Sequence, residues 1–122
     1  MKDWYWKHFK RKEFACKCCG KGGETVDAWL IWLLEVLRAK YGGRIFVNSG
    51  YRCKKHNAAV GGKKDSKHLI GEAADIQIEG IQNYDEVKNW LRAEILTNWG
   101  GIGVAKNYIH VDVREEKADW RY

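Results

Sequence analysis

Two histidines and an aspartate of this chain have the chemical types and the placement that a catalytic metal ion requires. His68 precedes a predicted strand, Asp75 lies within that strand, and His110 lies within the last predicted strand. If the two strands pair antiparallel with their polar faces aligned, the three side chains can converge. Such a set leaves one tetrahedral position open for water, which is typical of catalytic zinc. The spacing alone is equally compatible with a loop histidine, a solvated aspartate and a hydrogen-bonded edge histidine.

The two strands that carry this set are predicted from the alternation of apolar and polar residues. Residues 72–80, EAADIQIEG, place Asp75 on a polar face, and residues 108–114, YIHVDVR, place His110 and Asp112 on another. Side chains of a strand alternate between its two faces, so the apolar residues of each segment point to the opposite side. We therefore expect two strands whose polar faces are exposed to water.

The remaining elements follow from hydrophobic spacing and from glycines. Apolar residues at helical spacing predict helices over 25–41 and about 84–96, and a short helix is expected over 54–60. The letters RIFVNSGYR predict a further strand that breaks at its Asn-Ser-Gly turn, and WGGIGVAKN is expected to be a glycine-rich connection. These elements predict an α+β fold with a small, mainly antiparallel sheet. Two or three helices should pack on one face of the sheet, with the zinc site on the other.

Length and charge limit the classes of protein to consider. The 122 residues suffice for one domain, which we take as residues 1–122. Its aromatic, basic residues 1–14 are expected to form an N-terminal arm, and Trp120 is expected to cover an edge of the domain. Lys and Arg total 22 against 16 Asp and Glu, and the net charge of +6 favours polyanionic surroundings such as a cell wall. Neither a membrane-spanning run nor a secretory signal occurs, which predicts synthesis in a cytoplasm and no membrane partner. Nucleic-acid-binding motifs are absent as well, so no nucleic-acid partner is expected.

The four cysteines form a second group that could do chemistry. Cys16, Cys18 and Cys19 are crowded into ACKCCGKGG, and Cys53 lies far along the chain. A zinc ribbon needs two CxxC pairs, and the adjacent Cys18 and Cys19 cannot easily face one ion. Spacing therefore favours free thiols, or one disulfide between Cys53 and one of the other three, over a structural metal site. The pairing stays open.

The segment around His68 resembles a known peptidase motif. SKHLIGEAAD matches the SxHxxGxAxD motif of the zinc D-Ala-D-Ala carboxypeptidase-like peptidases, the M15 family. VNSGYR, HNAAVGG and the later NYIHVDVR extend the likeness to the compact M15A, or M15_3, subgroup of phages and bacteria. The resemblance covers roughly Glu13 to Arg114, which is most of the chain. It implies the Hedgehog/DD-peptidase-like zinc peptidase fold.

The resemblance also implies roles for individual residues. His68 and Asp75 occupy the first two zinc-ligand positions of the family, and His110 occupies the third. Arg52 stands where the family has an arginine that binds a substrate carboxylate or stabilises the oxyanion of the transition state, for which a planar charged fork is suited. Ser66, which opens the motif, is expected to bind substrate by a hydrogen bond or to shape the loop. One Zn²⁺ ion is the implied cofactor.

The general base of the reaction is the position where this sequence departs from the family. Many relatives carry an acidic residue three positions before the third ligand, where this chain has Asn107, and a related HxH motif would place histidine at Tyr108. An asparagine accepts no proton near neutral pH. Asp112, two residues after His110 on the same strand face, is the best remaining candidate. It acts either as the catalytic base or as a partner that orients a ligand.

The sequence therefore predicts a zinc metallopeptidase that cleaves peptidoglycan stem peptides. Both a D-Ala-D-Ala carboxypeptidase and an L-Ala-D-Glu type of endopeptidase fit the resemblance, and a phage endolysin or a virion-associated enzyme acting at the bacterial cell wall is the expected setting. We expect a monomer. Because Asn107 replaces the acidic residue, the alternative is a zinc-bearing module that binds the cell wall without hydrolysis.

Overall fold

Five strands form a single sheet, and helices connect and cover them, in a computed structural model that describes residues 6–122. The first five residues, which belong to the expected arm 1–14, lie outside the described residues. No helix in the described range is both long enough and apolar enough to cross a membrane. The elements in chain order are α1 (Ala28–Tyr41), β1 (Ile45–Ser49), α2 (Lys54–Ala59), β2 (Ala73–Ile78), α3 (Tyr84–Glu94), β3 (Gly101–Val104), β4 (Ile109–Asp112) and β5 (Ala118–Arg121). Short 3-10 helices lie at Arg11–Phe14, Gly23–Thr25 and Lys67–Ile70.

The order of the strands places β2 and β4 next to each other. The sheet runs β1-β2-β4-β3-β5, and all neighbours are antiparallel except the parallel pair of β3 and β5. In the register of β2 and β4, Asp75 lies opposite His110 and Ala73 lies opposite Asp112. The predicted α+β class and the mainly antiparallel sheet are thus confirmed. The antiparallel pairing on which the predicted convergence depended is present as well.

Helix α1 begins and ends where local chemistry requires. The side chain of Asp27 accepts a hydrogen bond from the backbone N–H of Trp29 at 2.7 Å and so caps the first turn, which moves the start from the predicted residue 25 to Ala28. The helix ends at Tyr41, before the glycine pair that was expected to stop it. Trp29 fits the apolar spacing of the helix, yet it is 63% exposed. It lies in the first turn and packs edge-on against Trp32 instead of entering the core.

One hydrophobic cluster joins α1, α3 and one face of the sheet. Within β4, Ile109 and Val111 belong to this cluster, so His110 and Asp112 face the other side of the sheet. The N-terminal residues Phe9 and Phe14 belong to the cluster too. Its other buried members are Leu30, Ile31, Leu33, Leu34, Leu37, Ile45, Ala74, Ile76, Ile78, Tyr84, Val87, Leu91, Leu96, Ile102 and Val104. Two helices therefore cover one face of the sheet, and the opposite face is left for polar residues.

The structure corrects two expectations about the C-terminal third. Gly101–Val104, expected as part of a glycine-rich connection, is the strand β3, and the unpredicted strand β5 carries Trp120. Trp120 therefore belongs to the sheet and does not merely cover an edge. Each strand spans only four residues. Glycine occupies every second position of β3, and β5 is half exposed and carries charged residues. Neither strand therefore shows the apolar run that marks a strand in a sequence.

Arg92 of α3 holds these two strands in place. Its guanidinium donates to the carboxylate of Asp119 at 2.9 Å and to four backbone carbonyl oxygens at 2.7 to 3.0 Å. The carbonyl groups belong to Leu96, Trp99, Gly100 and Ala118. Because a guanidinium has five N–H donors in a fixed fork, one side chain can fix the approach to β3 and the start of β5 together. The strand that carries Trp120 is thereby anchored to α3.

Candidate active site

The structure brings His68, Asp75 and His110 together on the polar side of the sheet. His68 Nε2 lies 3.2 Å from Asp75 Oδ1, and His110 Nδ1 lies 2.9 Å from the same oxygen. One potential ligand atom of each residue lies within 4.8 Å of the other two. All three residues are buried, with exposures of 2%, 7% and 4%. This burial corrects the expectation of a polar face open to water.

The partners of the two imidazoles determine which nitrogen faces the centre of the cluster. His68 Nδ1 lies 2.7 Å from the carbonyl oxygen of Gly50, and His110 Nε2 lies 2.8 Å from Asp112 Oδ2. Both partners only accept hydrogen bonds, so each of these outer nitrogens carries a hydrogen and donates it. The inner nitrogens, His68 Nε2 and His110 Nδ1, face Asp75 Oδ1, and each can share a hydrogen with that oxygen or offer its lone pair to a bound ion. Two nitrogens and one carboxylate oxygen form a donor set that fits a zinc ion.

The charge state of the cluster favours a bound cation. Burial acts to raise the pKa of Asp75, but hydrogen bonds with His110 and His68 hold it well below its ordinary value. For His110, burial acts to lower the pKa, and the carboxylates of Asp112 and Asp75 outweigh that effect and raise it. Both aspartates are therefore anionic near neutral pH, and a bound cation would replace the proton that His110 otherwise holds toward Asp75.

Asp112 lies behind His110, on the side of the imidazole ring away from Asp75. Its carboxylate is fully buried and accepts hydrogen bonds from His110 Nε2, from the backbone N–H of Gly101 at 2.9 Å and from Arg114 Nη2 at 2.7 Å. Burial acts to raise its pKa, but the hydrogen bonds from His110 and Arg114 hold that pKa well below the ordinary value. Asp112 thus contacts a potential ligand, while the ring of that ligand separates it from the centre of the cluster.

Arg52 orients Asp75 from the other side. Its Nη2 donates to Asp75 Oδ2 at 3.0 Å, its Nη1 donates to Asn57 Oδ1 at 3.2 Å, and its Nε donates to Ser49 Oγ at 3.0 Å. Asp75 Oδ2 is therefore held by the arginine, while Oδ1 faces the two histidines. Within residues 6–122, these contacts use three of the five N–H groups of the guanidinium, which leaves two for a substrate group.

Replacing Arg52 by lysine should separate its contact with Asp75 from a role in substrate binding. Lysine keeps the charge but lacks the fork that holds three oxygens, so we expect zinc affinity and kcat/KM to fall together by about 10- to 100-fold. Metal competition titration and steady-state kinetics measure the two quantities. The matched control is Arg44→Lys, at an exposed arginine that stacks on Phe46, and it should leave both unchanged. A raised KM with unaltered zinc affinity would instead indicate substrate binding alone.

Ser66 forms the cap of the short helix that carries His68. Its Oγ accepts a hydrogen bond from the backbone N–H of His68 at 3.2 Å, and the 3-10 helix Lys67–Ile70 follows directly. The backbone N–H of Arg52 donates to the carbonyl oxygen of His68 at 3.0 Å, so this helix is also tied to the Arg52 loop. The geometry places Ser66 where it shapes the loop, one of the two roles that the resemblance implies.

The variant Ser66→Ala is expected to weaken the fold slightly and leave substrate binding intact. Loss of the cap should lower the free energy of unfolding by about 1 kcal/mol, as measured by denaturant titration, with KM unchanged. Ser66→Asn serves as the control, because asparagine caps as well as serine does and should restore most of the stability. If KM rose strongly at unchanged stability, Ser66 would be a substrate-binding residue.

Aromatic side chains that the sequence did not indicate form one wall of the site. The ring of Trp120 lies 4.9 Å from the ring of His110, and Tyr122 lies 6.4 Å from Trp120 and 5.5 Å from Tyr108. Burial, followed by the charge of Asp75, raises the pKa of Tyr108. The pKa of Tyr122, which is 62% exposed, is raised as well, because partial burial outweighs the lowering effect of a hydrogen bond with Trp120. Both hydroxyl groups therefore stay protonated near neutral pH. Only the alternation in ADWRY could have suggested that Trp120 lies on a strand facing this site.

Two glycines of β3 leave the space that the side chains of Trp120 and Asp112 occupy. A Cβ atom built on Gly103 would lie 2.3 Å from Trp120 Nε1, and one on Gly101 would lie 2.3 Å from Asp112 Oδ2. Real Cβ atoms do not approach other atoms so closely. The absence of a side chain at these two positions is therefore required for Trp120 and Asp112 to lie against the strand. The exposed Asn107 lies in the turn between β3 and β4.

Comparison with known proteins agrees with this geometry. No curated protein matches the chain with significance. Residues 7–112 match the family model described as Peptidase M15, a span that includes the three clustered residues together with Arg52 and Asp112. The match covers most of the chain and confirms the resemblance found in its motifs. The protein therefore belongs to the peptidase M15 family and is, by that membership, a hydrolase of the peptidase class.

Proposed function

We propose that this protein is a zinc-dependent peptidase that cleaves the stem peptides of peptidoglycan. The observation that carries the proposal is the buried cluster of His68, Asp75 and His110, in which the outer nitrogen of each histidine is committed to an acceptor and the inner one faces the carboxylate. When bound there, zinc would supply Lewis acidity toward the scissile carbonyl and a water activated near neutral pH. The family membership of the chain supports peptide-bond hydrolysis as the reaction.

The surrounding residues supply orientation and hydrogen bonds for this reaction. Asp112 fixes the tautomer and the direction of His110, and Arg52 fixes the direction of the Asp75 carboxylate. Of the two roles predicted for Asp112, this contact favours the orienting one, and the role of proton acceptor stays a prediction. The protonated hydroxyl groups of Tyr108 and Tyr122 are suited to donate hydrogen bonds to a substrate carbonyl or carboxylate. The free N–H groups of Arg52 offer a charged site for the same purpose.

The peptidoglycan substrate follows from the resemblance and from charge. The net charge of +6 favours approach to a cell wall rich in phosphates and carboxylates. Both a D-Ala-D-Ala carboxypeptidase and an L-Ala-D-Glu type of endopeptidase remain candidates, in the setting of a phage lysin or virion-associated enzyme. We propose that one chain contains the complete site and acts as a monomer.

Mass spectrometry of peptidoglycan fragments tests this function. Purified fragments are incubated with the zinc-loaded protein, with the chelated protein and with a His110→Ala variant. Loss of a terminal alanine with the zinc-loaded protein alone would identify a carboxypeptidase, and an internal cut would identify an endopeptidase. If all fragments stayed intact while binding to the wall persisted, the peptidase proposal would fail in favour of a zinc-bearing wall-binding module.

A further inference from the structure

We propose that Cys16, Cys18, Cys19 and Cys53 bind a second zinc ion, which is structural and distinct from the His68, Asp75 and His110 cluster. The Sγ atoms of Cys16, Cys18 and Cys53 lie 3.6, 3.7 and 3.5 Å apart, and the Sγ of Cys19 completes a group within 4.8 Å. The two clusters share no residue. This proposal rests on the cysteine geometry alone and does not depend on the peptidase activity.

The distances fit a shared ion better than a disulfide. With Zn–S bonds of about 2.3 Å, the edges of a tetrahedral four-sulfur site are about 3.8 Å long. A disulfide would bring one pair of sulfur atoms to about 2.05 Å and leave the other two unpaired. Three nearly equal separations of 3.5 to 3.7 Å therefore match the edges of one face of a tetrahedron. Cys19 is placed to supply the fourth corner.

The backbone prepares the thiols to act as thiolates. The N–H of Cys53 donates to Cys16 Sγ at 3.5 Å, and the N–H of His56 donates to Cys53 Sγ at 3.3 Å. Cysteine binds zinc as the thiolate, and backbone N–H donors such as these stabilise that form.

A closed turn overcomes the unfavourable spacing of the three N-terminal cysteines. The N–H of Cys16 donates to the carbonyl oxygen of Lys21 at 2.8 Å, and the N–H of Gly20 donates to the carbonyl oxygen of Cys16 at 2.7 Å. These two hydrogen bonds fold residues 16–21 into a loop with Cys16 buried at its base. The adjacent Cys18 and Cys19, which the sequence suggested would diverge, both bring their sulfur atoms to the group.

The second ion would fix the loop that carries the first site. Cys53 directly follows Arg52, and the backbone N–H of Tyr51 donates to the carbonyl oxygen of Phe14 at 2.8 Å. The carbonyl oxygen of Gly50 in the same loop accepts the hydrogen bond from His68 Nδ1. Four protein ligands leave no open coordination position, so the role of this ion is to join residues 16–19 to residues 50–53.

Native mass spectrometry and cobalt substitution test the proposal. The wild-type protein, loaded with zinc under reducing conditions, should carry two zinc ions, and His110→Ala should retain one of them. Cys18→Ser replaces an exposed cysteine, so the fold should persist while one ion is lost. Lys17→Ser, in the same loop, is the matched control and should keep both. With Co²⁺ as the probe, a near-ultraviolet charge-transfer band from thiolate to cobalt should appear in His110→Ala and be lost or strongly weakened in Cys18→Ser.

Two results would overturn this inference. One is a wild-type protein that carries a single zinc ion which is lost in His110→Ala, whether its cysteines are all reduced or, when the reductant is removed, two of them form a disulfide and the mass falls by two hydrogen atoms. The other is a Cys18→Ser variant that keeps two zinc ions and the full charge-transfer band of the wild type. Neither result depends on hydrolysis, so failure of the second site and failure of the proposed peptidase function are distinguishable.

Discussion

Replacement of His110 by alanine is expected to lower kcat/KM for peptide hydrolysis by about a thousandfold, equivalent to a loss of about 4 kcal/mol of transition-state stabilisation. His110 is the only one of the three clustered residues that also links the site to Asp112, through the contact of 2.8 Å from its Nε2. Alanine removes the nitrogen that we propose as a zinc ligand and leaves the Asp112 carboxylate buried without one of its donors. Steady-state kinetics on a stem peptide, with zinc content measured on the same samples, gives the result.

Metal exchange and a second histidine provide the controls for this variant. Chelation of the wild-type protein should abolish hydrolysis, and added zinc should restore it, whereas zinc should not restore His110→Ala. His8→Ala removes an exposed histidine that pairs with Glu35 and should leave hydrolysis unchanged. Circular dichroism verifies that each variant is folded. Activity of a folded His110→Ala within tenfold of the wild type would contradict its assignment as a ligand.

The Asp112→Asn variant is expected to weaken zinc binding by about 10- to 100-fold, with a parallel loss of activity. Asparagine has nearly the shape of aspartate but no charge, and its amide donor group conflicts with the donors of His110 and Arg114. A residue that acted only as the proton acceptor would affect hydrolysis and leave zinc affinity unchanged. Competition titration with a fluorescent zinc chelator therefore distinguishes the two roles that the sequence left open for Asp112.

Loss of the whole carboxylate should also affect stability. Asp112→Ala leaves the half-buried guanidinium of Arg114 and the backbone N–H of Gly101 without their acceptor, which costs on the order of 3 kcal/mol in the free energy of unfolding. Because the two side chains interact directly, the double variant Asp112→Ala/Arg114→Ala should be less destabilised than the sum of the two single variants. Additive effects would show that the contact contributes nothing to folding.

Strands β2 and β4, which carry Asp75 and His110, could be predicted because the alternation of apolar and polar residues is a local signal. Alternation within residues 72–80 and 108–114 placed Asp75 and His110 on the polar face, and the motif around His68 supplied the third residue. What covers that face could not be predicted in the same way. The carbonyl of Gly50 is a backbone atom without a sequence signal, and Trp120 reaches the site only because β5 adds to β3 in parallel. Such pairings between distant segments leave no periodic pattern.

The cysteines show that spacing in the sequence can also argue against a cluster that the tertiary structure brings together. Adjacent Cys18 and Cys19 are unfavourable for one ion when the chain is considered extended, and Cys53 is too remote for any local motif to include it. Hydrogen bonds that close the loop 16–21 change the directions of the side chains, and the loop at Tyr51 brings Cys53 alongside. Ligand geometry of this kind belongs to the tertiary structure and is absent from the order of the residues.

The two glycines of β3, Gly101 and Gly103, have a consequence for the mutational tolerance of this enzyme. Gly101 and Gly103 offer no functional group, and a random mutagenesis screen that looked for chemistry would overlook both positions. Yet any Cβ at these positions would displace Asp112 or Trp120. Libraries that aim to alter specificity should therefore keep both glycines fixed and place diversity at the exposed C-terminal end of β5, at Arg121. The substrates that the site can accept are therefore limited by the space that Gly101 and Gly103 leave open, as well as by the residues proposed to bind zinc.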